Sequence, residues 1–147
     1  MVRNLLGSSS VRSFLGDFGA DGMVVIDPVT KGFTFVQLPS KRMSFARDVL
    51  MGEIGLIMTE DGQLRRINTL TGALEQSLSV TQPYSMEGGF QVARPRISAS
   101  GGQVVVTDPA RGKIHIIDGK AMKLLKTVDV VGAPFDVAVV GAADSDH

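Results

Sequence analysis

The amino-acid sequence predicts an all-β fold made of β-propeller blades: about three four-stranded antiparallel units in a partial or truncated propeller. Three observations predict it. The apolar residues fall in short runs rich in Val, Ile and Phe, the 17 glycines lie mostly between those runs, and one strand–turn–strand pattern occurs three times. Short β-branched runs bounded by Gly, Asn and Asp favour strands. A repeat of roughly 40–50 residues containing several short strands is typical of propellers.

The first copy of the pattern is GMVVIDPVTKGFTFVQLP at residues 22–39. Asp27 and Pro28 predict its turn, because Asp accepts hydrogen bonds from the backbone just ahead and Pro fixes φ. Residues 1–20 form a leader without a counterpart in the repeat, 21–142 form the blades, and 143–147 form a flexible tail. Residues 41–51 fit a helix or a strand, and their β surroundings favour a strand.

The two later copies are QLRRINTLTGALEQSLSV (63–80) and KIHIIDGKAMKLLKTVDV (113–130), which align without a gap at an offset of 113 − 63 = 50. This alignment places Asn68 on Asp118 and predicts a turn role for both. Another strand precedes each copy, in GLIMTEDG (55–62) and QVVVTDPARG (103–112), with Thr59 aligned on Thr107. The run FDVAVV (135–140) predicts one further strand.

Composition excludes several classes of function. The 15 basic and 15 acidic residues balance, so the chain has no basic field for nucleic acid or an anionic membrane. Without cysteine there is no disulfide, no thiol nucleophile and no Cys-ligated zinc. No apolar run approaches the ~20 residues of a membrane span, and the first residues lack the apolar core of a signal peptide.

The sequence predicts a protein that is not an enzyme, because the hydrolase, P-loop, zincin and dinucleotide motifs are all absent. His115 and His147, the only histidines, are the only candidates for metal binding. A metal site needs several converging ligands, so we expect His115 to be packed within its strand. Asp108, followed by Pro109, is interpreted as a turn residue.

The loop TQPYSMEGGFQVARPRI (81–97) interrupts the repeat between two blades. Loops carry a disproportionate share of binding residues, and this one contains the only tyrosine. The alternative is an ordinary connection in which an arginine pairs with a carboxylate. The binding hypothesis names Tyr84, Glu87, Phe90, Arg94 and Arg96.

The segments PYSMEGGFQVARPRI, VVVTDPARGKIHIID and GAPFDVAVVG resemble the C-terminal blades of bacterial periplasmic β-propeller zinc metallochaperones, with YVTN- or WD40-like strand repeats. The resemblance covers roughly residues 55–142. It implies a periplasmic protein that delivers zinc to a solute-binding protein of an ABC importer. Because the loop has no histidine where the family leads us to expect one, no metal ligand of the family can be transferred, and we expect reduced zinc binding by this chain.

Three hypotheses for function therefore stand. The first is a non-catalytic propeller of the zinc metallochaperone lineage that requires no cofactor and handles zinc by resemblance. The second is a general protein-interaction propeller that uses the 81–97 loop, and the third is a lactonase-type propeller hydrolase. Exposed blade edges also predict self-association, and the sequence is consistent with a fragment of a longer propeller.

Overall fold

The computed structural model describes residues 22–26, 31–40, 42–47, 54–68, 70–88 and 91–139. All of its regular structure is β. The strands are β1 (Gly22–Ile26), β2 (Phe33–Gln37), β3 (Arg42–Arg47), β4 (Ile54–Thr59), β5 (Gln63–Asn68), β6 (Leu74–Ser79), β7 (Ile97–Ser100), β8 (Gln103–Asp108), β9 (Lys113–Asp118) and β10 (Lys123–Asp129).

These strands form three antiparallel units in chain order. We call β1–β2 the hairpin unit, β3–β4–β5–β6 the second blade and β7–β8–β9–β10 the third blade. Each blade is a meander in which consecutive strands are neighbours, as in a propeller. The fold class is confirmed, and so is the strand predicted within 41–51, which is β3.

The three units stack face to face, and two apolar clusters fill the spaces between them. Val36 and Leu38 of the hairpin unit pack against Ile57 and Ile67 of the second blade. The opposite face of the second blade packs against the third through a larger cluster: Ala46, Leu56, Met58, Leu64, Ile97, Val104, Val106, Ile117 and Met122. Strand β4 is therefore covered on both faces, and five of its six residues are buried. Alternation of side chains along a strand explains why neighbouring residues reach different clusters.

The outer strands β6 and β10 are mostly exposed, whereas β3 and β7 lie beside each other. The backbone N–H of Ile97 donates to the Ser44 hydroxyl across this junction, at 3.2 Å. Residues 131–139 lie next along the same side, where the Val139 N–H donates to the Ser98 hydroxyl at 3.2 Å. The strand predicted for 135–140 is wrong over 135–139, because no described strand pairs with these residues.

The predicted turn roles of Asn68 and Asp118 are confirmed. The Asn68 side-chain oxygen accepts hydrogen bonds from the next residues' backbone, at 2.8 Å from Leu70 and 3.2 Å from Thr71. Asp118 does the same with Lys120 at 2.9 Å and Ala121 at 3.0 Å. These two bonds lower the pKa of Asp118, and the bond from Ala121 has the larger effect. The leader 1–20, the tail 143–147 and the Asp27–Pro28 turn lie outside the described residues.

The strand pairing corrects the alignment of Thr59 with Thr107. Ile57 pairs with Arg65, and Val106 pairs with His115, so these two pairs are equivalent. Thr59 lies two residues after Ile57, and Asp108 two residues after Val106. The equivalent of Thr59 is therefore Asp108, because the β8–β9 turn is one residue longer than the β4–β5 turn.

Candidate functional site

The 81–96 loop lies against the turn that joins the two central strands of the second blade. The Val80 N–H donates to the Gly62 carbonyl at 3.0 Å, and the Tyr84 N–H donates to the Glu60 carbonyl at 2.8 Å. The third blade repeats the first of these contacts, with Val130 donating to Gly112 at 2.9 Å. We call residues 81–96 together with the turn 60–62 the loop surface.

Arg94 holds the middle of this loop closed. Its side chain is buried, and its guanidinium donates to the main-chain carbonyls of Ser85 at 2.9 Å and Glu87 at 2.7 Å. The Glu87 N–H donates to the Ser85 hydroxyl at 3.0 Å, which tightens the same turn. A buried guanidinium uses its fixed set of donors to fix the position of these carbonyls. These acceptors are main-chain carbonyls, whereas the alternative interpretation of the loop expected an arginine paired with a carboxylate.

Tyr84 anchors the loop to the protein interior. Its ring packs against the larger core cluster, and its hydroxyl is buried without a hydrogen-bond partner. Burial raises the pKa of Tyr84 well above its ordinary value, the charges of Asp61 and Glu60 raise it further, and Arg94 opposes them. Tyr84 is therefore a neutral phenol over the whole physiological range.

The structure brings Tyr84, Glu87 and Arg94 together but separates Arg96 from them. Glu87 is exposed. Arg96 places its guanidinium carbon 5.1 Å from the centre of the Phe135 ring, a cation–π contact with the 131–139 segment. Phe90, the fifth predicted binding residue, lies outside the described residues.

Two depressions adjoin on the loop surface and share Pro83 and Tyr84. One has a volume of about 210 Å³, and its walls include Pro95, Pro109 and Ala133. The other, of about 500 Å³, is open and includes Glu60 and Ser85. The first depression is lined largely by apolar groups, and the second also includes the carboxylates of Glu60 and Asp61.

His115 belongs to a different feature, a buried array within the third blade. Its Nε2 lies 2.9 Å from the Asp108 carboxylate and its Nδ1 lies 2.9 Å from the Thr127 hydroxyl. Asp108 and His115 are buried, and Arg111 lies 3.9 Å from the same carboxylate oxygen. The interpretation of Asp108 as only a turn residue is wrong, because its carboxylate binds a side chain on the neighbouring strand.

The second blade contains the same array with different residues. Arg65 lies at the His115 position and donates to Thr59 at 3.0 Å, to Ser77 at 3.0 Å and also to Asp61. Ser77 pairs with Arg65 as Thr127 pairs with His115. Because the array recurs with a residue that does not bind metals, its role is to tie three strands together. The sequence signal was the gapless alignment itself, which puts Arg65 on His115 and Ser77 on Thr127.

Within the described ranges, no group of three or more His, Cys, Asp or Glu side chains lies where it could hold a metal ion. Both ring nitrogens of His115 have protein partners, and His147 is outside those ranges. The same part of the chain also contains no helix long and apolar enough to cross a membrane.

Comparison with known proteins relates the chain to one curated protein in particular. No protein-family model matches the chain. The zinc chaperone AztD of Citrobacter koseri is 35% identical over 144 residues, which cover 97% of this chain and 34% of that protein. The chain therefore spans about a third of the length of this relative.

Solved structures agree with this relationship. A crystal structure of Citrobacter koseri AztD superimposes with a TM-score of 0.80 and 36% identity, over 88% of this chain and 35% of that one. The WD40 domain of Neurospora crassa Pan2 superimposes with a TM-score of 0.56 at 12% identity, over 77% of this chain and 32% of that one. The second similarity concerns the fold alone.

Proposed function

We propose that the chain belongs to the lineage of the zinc chaperone AztD and that it serves as a non-catalytic, periplasmic zinc metallochaperone that transfers zinc to a solute-binding protein of an ABC importer. The observation that carries the proposal is the identity of 35% extending over 97% of the chain. A similarity confined to the strand repeat would have supported the fold only.

We propose that the loop surface supplies the contact with the receiving protein. Three features support this role: Tyr84 anchors the loop in the core, Arg94 fixes its carbonyls, and Glu87 is left exposed on it. A loop held in one conformation loses little entropy on binding, which favours affinity. Tyr84, Glu87, Arg94, Arg96 and Phe90 remain the proposed binding residues.

Zinc is the cargo in this proposal, and the described side chains do not form a coordination sphere for it. Zinc sites in proteins use three or four N, S or O ligands at about 2.0–2.3 Å. His115 would have to give up Asp108 or Thr127 in order to bind the ion. The described blades therefore serve as scaffold and docking surface, and the proposal assigns no zinc ligand among them.

Two measurements test the proposal. A calorimetric zinc titration of the 147-residue chain is expected to show binding tighter than about 1 mM, by residues other than those of the described blades, which offer no set of zinc ligands. The zinc-bound chain, immobilised, is expected to capture the solute-binding protein encoded beside the importer, and Glu87→Lys is expected to weaken capture at least about tenfold.

Gln76→Lys is the control, because it also introduces a lysine at an exposed position, on β6 away from the loop surface, and it leaves the Glu75–Arg66 ion pair in place. It is expected to leave capture unchanged. A chain that neither binds zinc nor captures the solute-binding protein would refute the chaperone role. Capture lost equally in both variants would refute the loop surface as the docking site.

A further inference from the structure

The turn 60–62 of the second blade supports the start of the loop that follows β6. The Thr81 N–H donates to the Gly62 carbonyl at 3.2 Å, and the Tyr84 N–H donates to the Glu60 carbonyl at 2.8 Å. Backbone hydrogen bonds of this kind form only over a narrow range of distance and angle. The start of the loop therefore keeps its place only while the turn keeps its own.

Asp61, in the middle of this turn, is held by groups of the strands on either side. Its Oδ1 accepts a hydrogen bond from the Thr59 hydroxyl at 2.6 Å and another from the Gln63 N–H at 3.3 Å. Its Oδ2 is paired with the guanidinium of Arg65. Because a hydrogen bond between two charged groups is stronger than one between neutral groups, Arg65 supplies the strongest of these attachments.

Arg65 is itself fixed to the two neighbouring strands. Its Nε donates to the Thr59 hydroxyl of β4 at 3.0 Å, and its Nη1 donates to the Ser77 hydroxyl of β6 at 3.0 Å. The side chain is buried, and a planar guanidinium with five N–H donors can hold several acceptors at once. One buried side chain of β5 thus connects the turn to β4 and β6.

The third blade ties its strands together without holding its turn in this way. Its array of Asp108, His115 and Thr127 lies wholly within β8, β9 and β10. The offset of 50 between the copies puts Arg111 at the place of Asp61. The Arg111 guanidinium lies 3.9 Å from the Asp108 carboxylate, which is beyond hydrogen-bond distance. The attachment of a turn by a buried cation is therefore a property of the second blade.

The segment that follows the third blade also lacks the contact made by Tyr84. The same offset puts Pro134 at the place of Tyr84, and proline has no N–H to donate to a turn. Both additions to the repeat, the held turn and the donor that rests on it, thus occur together. They occur in the blade that carries the loop surface.

We propose that Arg65 is a positioning residue for docking. Through Asp61 it holds the turn 60–62, the turn sets the position of the 81–96 loop, and the position of the loop sets the affinity for the receiving protein. The inference rests on the proposed role of the loop surface. Arg65 is buried, so it acts without touching the partner, by reducing the entropy that the loop loses on binding.

Arg65→Met tests the proposal, because methionine fills part of the space of the side chain and makes none of its hydrogen bonds. Amide hydrogen exchange at Tyr84 is expected to accelerate at least about tenfold. Capture of the solute-binding protein by the immobilised, zinc-bound chain is expected to weaken at least about fivefold. His115→Met makes the matched change in the third blade, and it should lower the melting temperature while leaving both readouts unaltered.

Arg65→His separates the tie between strands from the hold on the turn. Histidine at this position can bond Thr59 and Ser77 as His115 bonds its own two strand partners, but it does not reach Asp61. We expect Arg65→His to be more stable than Arg65→Met in urea, with Tyr84 exchange still fast and capture still weak. Asp61→Asn approaches the same point with the strand tie intact, and it is also expected to speed exchange at Tyr84.

Two results would overturn the proposal. One is recovery of slow Tyr84 exchange and tight capture, together with stability, in Arg65→His, since Arg65 would then act only by tying strands. The other is unchanged Tyr84 exchange in both Arg65→Met and Asp61→Asn. If the parent chain captures no partner, the docking role of the loop surface fails, while the exchange rates still decide whether Arg65 holds the loop.

Discussion

At the scale of single residues, two buried polar groups of the described residues differ in whether they have hydrogen-bond partners. The His115 ring has a partner on each nitrogen, at 2.9 Å from Asp108 and 2.9 Å from Thr127. The Tyr84 hydroxyl is buried with no partner. A satisfied buried group holds its neighbours in place, whereas an unsatisfied one costs stability. The satisfied His115 ring belongs to the strand repeat, and the unsatisfied Tyr84 hydroxyl belongs to the loop that interrupts the repeat.

Tyr84 gives a prediction for alkaline pH. In the folded chain the pKa of Tyr84 is raised above the unfolded value of about 10, so ionisation of Tyr84 does not lower the free energy of unfolding below pH 10. As the pH rises from the unfolded pKa towards the folded one, the free energy of unfolding falls, because the unfolded chain ionises first. Since Tyr84 is the only tyrosine and tryptophan is absent, tyrosinate absorbance reports this group alone. We expect it to appear only as the chain unfolds.

Tyr84→Phe is the matched variant for this titration. We expect it to raise the free energy of unfolding by about 1 kcal/mol at neutral pH, because it removes a buried hydroxyl without a partner. It should also flatten the loss of stability above pH 10 relative to the parent chain. Tyrosinate absorbance that develops in the folded chain near pH 10 would show that the hydroxyl is accessible and contradict the raised pKa.

His115 gives a prediction for the buried array. His115→Ala removes the hydrogen-bond partner of the buried Asp108 carboxylate and leaves Arg111 at 3.9 Å from it, so we expect a loss of roughly 1–3 kcal/mol in the free energy of unfolding. Thr127→Val removes one hydrogen bond and is expected to cost about 1 kcal/mol. Urea denaturation measures both. Equal losses in the two variants would mean that Asp108 does not depend on His115.

At the scale of strands and turns, the position of each turn relative to the pairing register decides which side chains meet. The sequence repeat correctly predicted the turns at Asn68 and Asp118, because a short polar side chain satisfies the same backbone groups in each copy. The repeat aligned Thr59 with Thr107 instead of Asp108, because sequence alignment does not reveal the extra residue in the β8–β9 turn. The Asp108–His115 contact depends on that register, so it could not be predicted before the pairing was known.

Gly62 connects a turn to the loop surface and gives the prediction at this scale. Its φ is +79°, and an added Cβ would overlap the Thr81 carbonyl oxygen. Gly102 has a φ of +82° with no atom within 4 Å of such a Cβ. In both alanine variants the positive φ lowers the free energy of unfolding by about 1–2 kcal/mol. Only Gly62→Ala must also displace the start of the 81–96 loop.

We therefore expect Gly62→Ala to lose more free energy of unfolding than Gly102→Ala and to change the fluorescence of Tyr84. Gly102→Ala should leave that fluorescence unaltered. The difference between the two variants, measured by urea denaturation, isolates the contact with Thr81. If the two losses are equal and the fluorescence is unchanged, the loop does not rest on the turn.

At the scale of the whole molecule, the sequence predicted the architecture better than the site. Strand length, turn chemistry and the offset of 50 between copies are local properties that determine the blades. The clamp formed by Arg94 depends on how the chain returns on itself between 85 and 94, which no local pattern encodes. The apparent strand at 135–140 met every local criterion, but a strand also needs a neighbour to pair with.

The stacked arrangement gives a last prediction, from two adjacent residues of β4 that face opposite ways. Leu56 and Ile57 are both fully buried, but Leu56 belongs to the cluster with the third blade and Ile57 to the cluster with the hairpin unit. Each alanine substitution is expected to cost about 2–5 kcal/mol at its own interface. In a linear stack each unit contacts only its neighbours, so the effects should remain local.

Amide hydrogen exchange measures this localisation. Ile57→Ala is expected to speed exchange in β1 and β2 while β8 and β9 keep their protection, and Leu56→Ala is expected to do the reverse. Adjacent positions and similar side-chain volumes make each variant the control for the other. Uniform loss of protection in both variants would show that the described units unfold as one cooperative body, and the description of the chain as a stack of separable blades would then be wrong.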